Sequence, residues 1–120
     1  MQNYNRNLSE RLLNFGAGIV KLTIKLSKTV VGRHIGFQLM KSATSSGANY
    51  EEACGAESRA DFIHKMQIVL KELRESFFWL KLINKANLIS LDDLQLSLTE
   101  AEELVKIFSK SVVTAKERKK

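Results

Sequence analysis

The chain has no proline, one cysteine, only six glycines among its 120 residues and no long apolar run, and each scarcity excludes something. A lone cysteine, Cys54, closes no internal disulfide, so this is not a stapled secreted scaffold. Without proline the punctuation that breaks helices is missing, and with little glycine so is the turn chemistry that separates many short strands. The longest uninterrupted apolar stretch, Phe77-Phe78-Trp79-Leu80, is far too short to cross a bilayer. The opening residues, Met1 to Arg6, are polar, so neither a leader peptide nor a membrane partner is expected, and the expected location is cytoplasmic.

What is present is the composition of one small folded domain spanning residues 1–120, with 44% hydrophobic and 27% charged residues and a net charge of +6. A chain of this size buries roughly two-thirds of its unfolded surface in a single core, so it needs no structural metal or cofactor to fold. Abundant Leu, Lys, Glu, Ala and Ser with apolar spacings of three and four predict an all-α fold of four helices. The first is expected over about 8–28, with Leu8, Leu12, Phe15, Ile19, Leu22 and Leu26 on one stripe. The second, about 32–54, places Ile35, Leu39, Ala43, Ser46 and Tyr50 inward and has a small-sided middle from Ser42 to Ala48 that lets a neighbour approach closely.

Ser58 with Asp61 announces a third helix, running to about Ala86, with a core stripe of Phe62, Met66, Val69, Leu73, Phe77 and Leu80. Ser90 with Asp93 announces the fourth, whose seam is Leu91, Leu94, Leu98, Ala101, Val105, Phe108 and Val112 before the charged end Lys116 to Lys120. Connections of a few residues force sequential helices to be antiparallel neighbours, giving an up-down-up-down four-helix bundle.

Two stripes are left over. On helix 1, Leu13, Ala17, Val20 and Ile24 cluster roughly opposite the core stripe; on helix 3, Phe78, Trp79, Leu82 and Ala86 lie away from its core face. Burying a side chain of Leu or Phe size is worth about 1.5–3 kcal/mol, so the stripes point to self-association, with Leu13, Ala17, Val20, Ile24, Phe78, Trp79 and Leu82 at the interface. Sharply crossed helices or the chain's tails covering these stripes within one chain would be the alternative.

Charge is segregated: residues 1–50 sum to +6, 51–104 to −5 and 105–120 to +5. Lys21, Lys25 and Lys28 project from one polar strip of helix 1, followed by Arg33, His34 and Lys41, a spacing able to track phosphates. A solvated lysine-rich face has the same appearance. The aromatic residues are mostly committed to apolar faces, so contact with an RNA or DNA backbone is expected rather than base reading.

Catalytic and metal chemistry find little support. A di-iron bundle needs two Glu-x-x-His pairs and two further Glu residues; only Asp61-Phe62-Ile63-His64 approximates one pair, and helix 1 offers only Glu10. Cys54, His34 and His64 lack zinc-ligand spacing, and Cys54 reads as a small hydrophobe at a helix end. There is no phosphate-cradling glycine loop and no Ser/His/Asp set, so no enzyme is expected.

The stretch Gln38 to Ile83 is distinctive. Gln38-Leu39, Ser42-Ala43, Gly47-Ala48-Asn49-Tyr50 with Glu52-Ala53, Ser58 to Ile63 with Lys65, Leu70-Lys71-Glu72, Glu75 and Trp79-Leu80 closely resemble the bacterial four helix bundle protein family. Its members include proteins encoded in intervening sequences of large-subunit ribosomal RNA genes. Ser46, Cys54 and Phe78 depart from the usual pattern. The resemblance implies a left-handed antiparallel bundle assembling as a ring-shaped homopentamer, and no enzyme. The family's fold is similar to that of the accessory protein of diversity-generating retroelements, a basic pentameric barrel that binds nucleic acid. RNA or DNA is therefore the expected partner, with a protein-interaction scaffold as the competing class.

Overall fold

Three short turns divide an otherwise helical chain, the last of them sending Ile89 into the core. The computed structural model describes residues 2–118, with side-chain surroundings from Asn7 onward. It contains α1 (Gln2–Leu26), α2 (Val30–Cys54), α3 (Arg59–Lys85) and α4 (Leu91–Arg118), and no strand among the described residues. Helix α2 begins two residues earlier than expected because Thr29 caps it: its Oγ1 accepts from the Gly32 N–H at 3.0 Å. Ser58 caps α3 in the same way, accepting from the Asp61 N–H at 3.0 Å, and Ser90 Oγ accepts from the Asp93 N–H at 3.4 Å.

The α3–α4 turn closes by a different device. Asn87 takes φ 56, the left-handed conformation that asparagine tolerates better than most residues. Its N–H donates to the Asn84 carbonyl and the Leu88 N–H to the Ile83 carbonyl, both at 3.1 Å, which satisfies two of the carbonyls left free at the end of α3.

Turns this short make each helix antiparallel to the one before it, and the result is the up-down-up-down bundle, 49 × 22 × 20 Å. The core is continuous along its length. All six inward residues of α1 are buried, as are Leu39, Ala43, Ser46 and Tyr50 of α2, and the Tyr50 ring meets Phe108 of α4 edge-on at 5.5 Å. Helix α3 buries a broader arc than its expected stripe: Ile63, Ser76 and Ile83 are buried, while Phe62 and Phe77 are only half-buried. On α4, Leu104 is buried, whereas Leu91 is 50% exposed.

Helices α2 and α3 pack most closely, and α1 and α4 touch least. The small residues of α2 are the cause of the first. Ser42 and Ser76, both buried, share a hydrogen bond of 2.8 Å across the α2–α3 contact. The remaining proton reaches a helix carbonyl, from Ser42 to Leu39 at 3.1 Å or from Ser76 to Glu72 at 2.9 Å, so both buried hydroxyls are satisfied within the protein.

Candidate subunit and nucleic-acid surfaces

The outer side of α1 carries an uncovered apolar stripe. A turn of 3.6 residues that sends Leu12, Phe15 and Ile19 inward sends Leu13, Ala17, Val20 and Ile24 outward. Leu13 is 66%, Ile24 67% and Val20 39% exposed, and Ala17 is exposed as well. Between this stripe and α2 runs a groove of about 580 Å³ whose α2 wall is Thr44, Gly47, Ala48 and Glu51.

The two helices run side by side in a register that sets Gly47 against Leu12, Gly16 against Thr44 and Gly36 against Leu26 and Thr23. That register brings Phe37, 55% exposed, level with the C-terminal half of the α1 stripe. Phe37 was not among the residues singled out from the sequence. Its only signal is the i, i+7 spacing to Thr44, too weakly apolar to mark a stripe on its own.

The expected stripe on α3 is split. Phe78 is 54% exposed, but Trp79 and Leu82 are half-buried, and Trp79 packs against the core. The Trp79 Nε1–H donates to Glu75 Oε2 at 3.1 Å one turn earlier, and the Phe78 ring meets the indole edge-on at 5.1 Å. Successive residues stand 100° apart on a helix, so Trp79 turns back toward the bundle while Phe78 faces away from it.

The cations do not form one strip. Lys21 and Lys25 border a groove of about 630 Å³ between α1 and α4, opposite Asp93, Leu96 and Glu100. Lys25 Nζ lies 3.0 Å from Asp93 Oδ2, and the ammonium holds that carboxyl below its ordinary range. Lys28 is in the turn after α1, and Arg33 Nη1 donates to the Ser27 carbonyl at 3.1 Å, tying α2 back to that turn. Lys41 is exposed two turns further along α2, about 12 Å from Arg33 at 1.5 Å per residue.

Lys116 and Arg118 stand at the other pole. Helix α4 starts beside Lys25 and runs about 35 Å before reaching Lys116. Lys119 and Lys120 lie outside the described residues. Between the poles, Arg11 is clamped by Glu100 (2.6 and 2.9 Å) and Glu103 (2.9 Å), chiefly the hydrogen bonds to Glu100 raising its already high pKa. Lys116 and Arg118 share their pole with Glu51, Glu52, Glu57 and Asp61 around the α2–α3 turn, so acidic residues are interspersed with the cations there.

The remaining polar residues have structural partners or face solvent. Glu52 Oε1 accepts from Lys65 at 2.6 Å across α2 and α3, and Asn49 Nδ2 donates to the Ser45 carbonyl at 2.9 Å. His34 and His64 are exposed. Cys54 is exposed too, contrary to its reading as a small hydrophobe; Ala53 takes the buried position at the end of α2. Among the described residues no three of His, Cys, Asp and Glu converge to hold a metal ion, and no helix is long and apolar enough to cross a membrane.

Comparison with known proteins yields a family and a fold. Residues 7–110 match the 23S rRNA-intervening sequence protein family. Among solved structures, the chain is similar to a protein of unknown function from the S23 ribosomal protein family of Bacteroides thetaiotaomicron VPI-5482, with 32% identity and a TM-score of 0.78 over 87% of this chain and 96% of that one. No curated protein matches.

Proposed function

Because the chain belongs to the 23S rRNA-intervening sequence protein family and leaves an apolar face uncovered, we propose that it is a non-enzymatic, self-associating bundle that presents positive charge to nucleic-acid backbones in the cytoplasm. The observation that carries the reading is the α1 stripe. Leu13, Val20 and Ile24, with Phe37 beside them, are 39% to 67% exposed, so burial between subunits would return about that share of the roughly 1.5–3 kcal/mol that a fully exposed side chain of this size gains. A ring of five is the preferred assembly, on the family resemblance alone.

Five copies of a +6 chain would carry about +30, a potential that attracts polyanions and reads no bases. Binding of RNA and DNA is then sequence-tolerant and falls steeply with salt. Light scattering tests the first half: the wild-type protein should run above monomer mass at micromolar concentration, and Val20→Glu with Ile24→Glu should reduce it to a monomer of unchanged helicity. A wild-type monomer would remove the proposal.

The second reading is a protein-interaction scaffold without nucleic acid. It is favoured by the acidic residues that share the pole of Lys116 and Arg118 and by the Lys25–Asp93 pair, which neutralises part of the α1 charge. Gel-shift titration against mixed-sequence RNA and duplex DNA at about 50 mM salt, where backbone contacts are strongest, separates the two. Absence of binding there would leave the scaffold.

A further inference from the structure

We infer that the groove between the start of α3 and the end of α4 is a binding site for a phosphorylated nucleoside unit. The groove has a volume of about 580 Å³, within the size range of small-molecule sites. Arg59 enters it from α3, and Lys110 and Arg118 from α4. Lys110, Thr114 and Arg118 recur every fourth residue, so they share one face of α4 and look across the trough at Arg59.

Three cations on facing walls repel one another, and the nearest carboxylates in sequence, Glu57, Asp61 and Glu117, stand outside the groove lining. No carboxylate lines the groove, and among the described residues none of the three forms an ion pair. Helix-end electrostatics explain only Arg118, at the negative end of α4. Lys110 lies two turns inside that helix, beyond the reach of its end, and Arg59 opens α3, where the helix dipole disfavours a cation. An anion bound between them relieves this repulsion.

The rest of the lining narrows the ligand class. Half-buried Phe62 and Ile107 give the groove an apolar wall, and the hydroxyls of Ser111 and Thr114 supply neutral donors beside the cations. Guanidinium groups engage phosphate oxygens through paired N–H donors. A doubly charged phosphate joined to a flat, weakly polar body uses both halves of the site; a bare phosphate uses only one. The site is at the opposite pole from Lys21, Lys25 and Lys28, so it does not rest on the backbone reading above. A free mononucleotide and the phosphorylated end of a strand carry the same chemistry.

Amide NMR titration of the full chain with adenosine monophosphate tests it. Shifts should concentrate at Arg59 to Phe62 and Ile107 to Arg118, with adenosine and inorganic phosphate each binding more weakly. Arg59→Gln with Lys110→Gln should weaken binding at least about tenfold, the scale of one or two lost charge-assisted contacts, while Arg59→Lys with Lys110→Arg keeps most of it. Changing Lys21, Lys25 and Lys28 to Gln should leave it unaltered, whatever that does to backbone binding. A 5′-phosphorylated oligoadenylate binding more tightly than the mononucleotide identifies a strand end as the source; equal affinity identifies the free nucleotide. No perturbation in the groove at about 10 mM adenosine monophosphate, well above the millimolar affinity of a few exposed contacts, or undiminished binding by the double Gln variant, overturns the inference.

Discussion

Gly32 has no room for a side chain. A Cβ there would be driven into the carbonyl oxygen of Leu26, because the turn after α1 folds back directly over the first turn of α2. Flexible side chains can yield to such a contact, but a backbone carbonyl cannot do so without moving the turn. Gly32→Ala is therefore expected to cost about 3 kcal/mol, the upper range for overpacking, read as a lowered denaturation midpoint. Gly16 and Gly47 meet nothing closer than ordinary van der Waals distance, so alanine there should be far milder. The Ser42–Ser76 pair behaves differently, since each hydroxyl has a helix carbonyl to fall back on. Either single alanine variant should cost about 1 kcal/mol, and the double variant clearly less than the two costs added together, as a double-mutant cycle in denaturant would reveal.

At the scale of helices, apolar spacing identified the core stripe of α1 in full, Leu8, Leu12, Phe15, Ile19, Leu22 and Leu26 all being buried, but not its bounds, since the helix starts six residues before Leu8 in a polar segment without that spacing and ends at Leu26. It served α3 less well. That helix packs against α2 on one side and α4 on the other, so it buries an arc wider than one stripe and draws in Ile63, Ser76 and Ile83. The outer stripe of α1 was legible because it is contiguous within one helix. The scatter of the cations was not, because a helical wheel gives an angle without showing that Asp93 stands opposite Lys25. The groove holding Arg59 and Lys110 was hidden for the same reason, its walls coming from segments far apart in the chain.

The Lys25–Asp93 contact also gives the α1–α4 pairing a pH dependence of definite sign. The Asp93 carboxyl is held below its unfolded range, chiefly by hydrogen bonding to Lys25, so its contribution is present above about pH 4 and is lost as pH falls through the lowered folded value. The pair is exposed and its contribution small. Asp93→Asn should therefore melt slightly below the wild type at pH 7, with the difference shrinking as pH falls below about 4 in thermal scans.

For the molecule as a whole, the separation of Lys21, Lys25 and Lys28 from Lys116 and Arg118 at opposite poles decides how a polyanion can sit on it. Replacing Lys21, Lys25 and Lys28 together with Gln removes three cations near one pole and leaves both apolar stripes untouched. Binding to RNA and DNA should weaken alike, and the slope of log affinity against log salt should become shallower by about two to three, with helicity and oligomer mass unchanged. A loss confined to one nucleic acid would contradict backbone recognition.

An even number of antiparallel helices also brings the first turn of α1 and the last turn of α4 to the same pole, along the least intimate contact in the bundle. Under tension applied at the two termini, α1 and α4 are therefore peeled apart sideways, turn by turn, rather than slid past each other along their length. The Arg11 clamp on Glu100 and Glu103 lies about 13 Å along α1 from its first residue, so the turns before it separate without breaking an ion pair among the described residues, and this bundle should be mechanically soft from its termini whatever its thermodynamic stability.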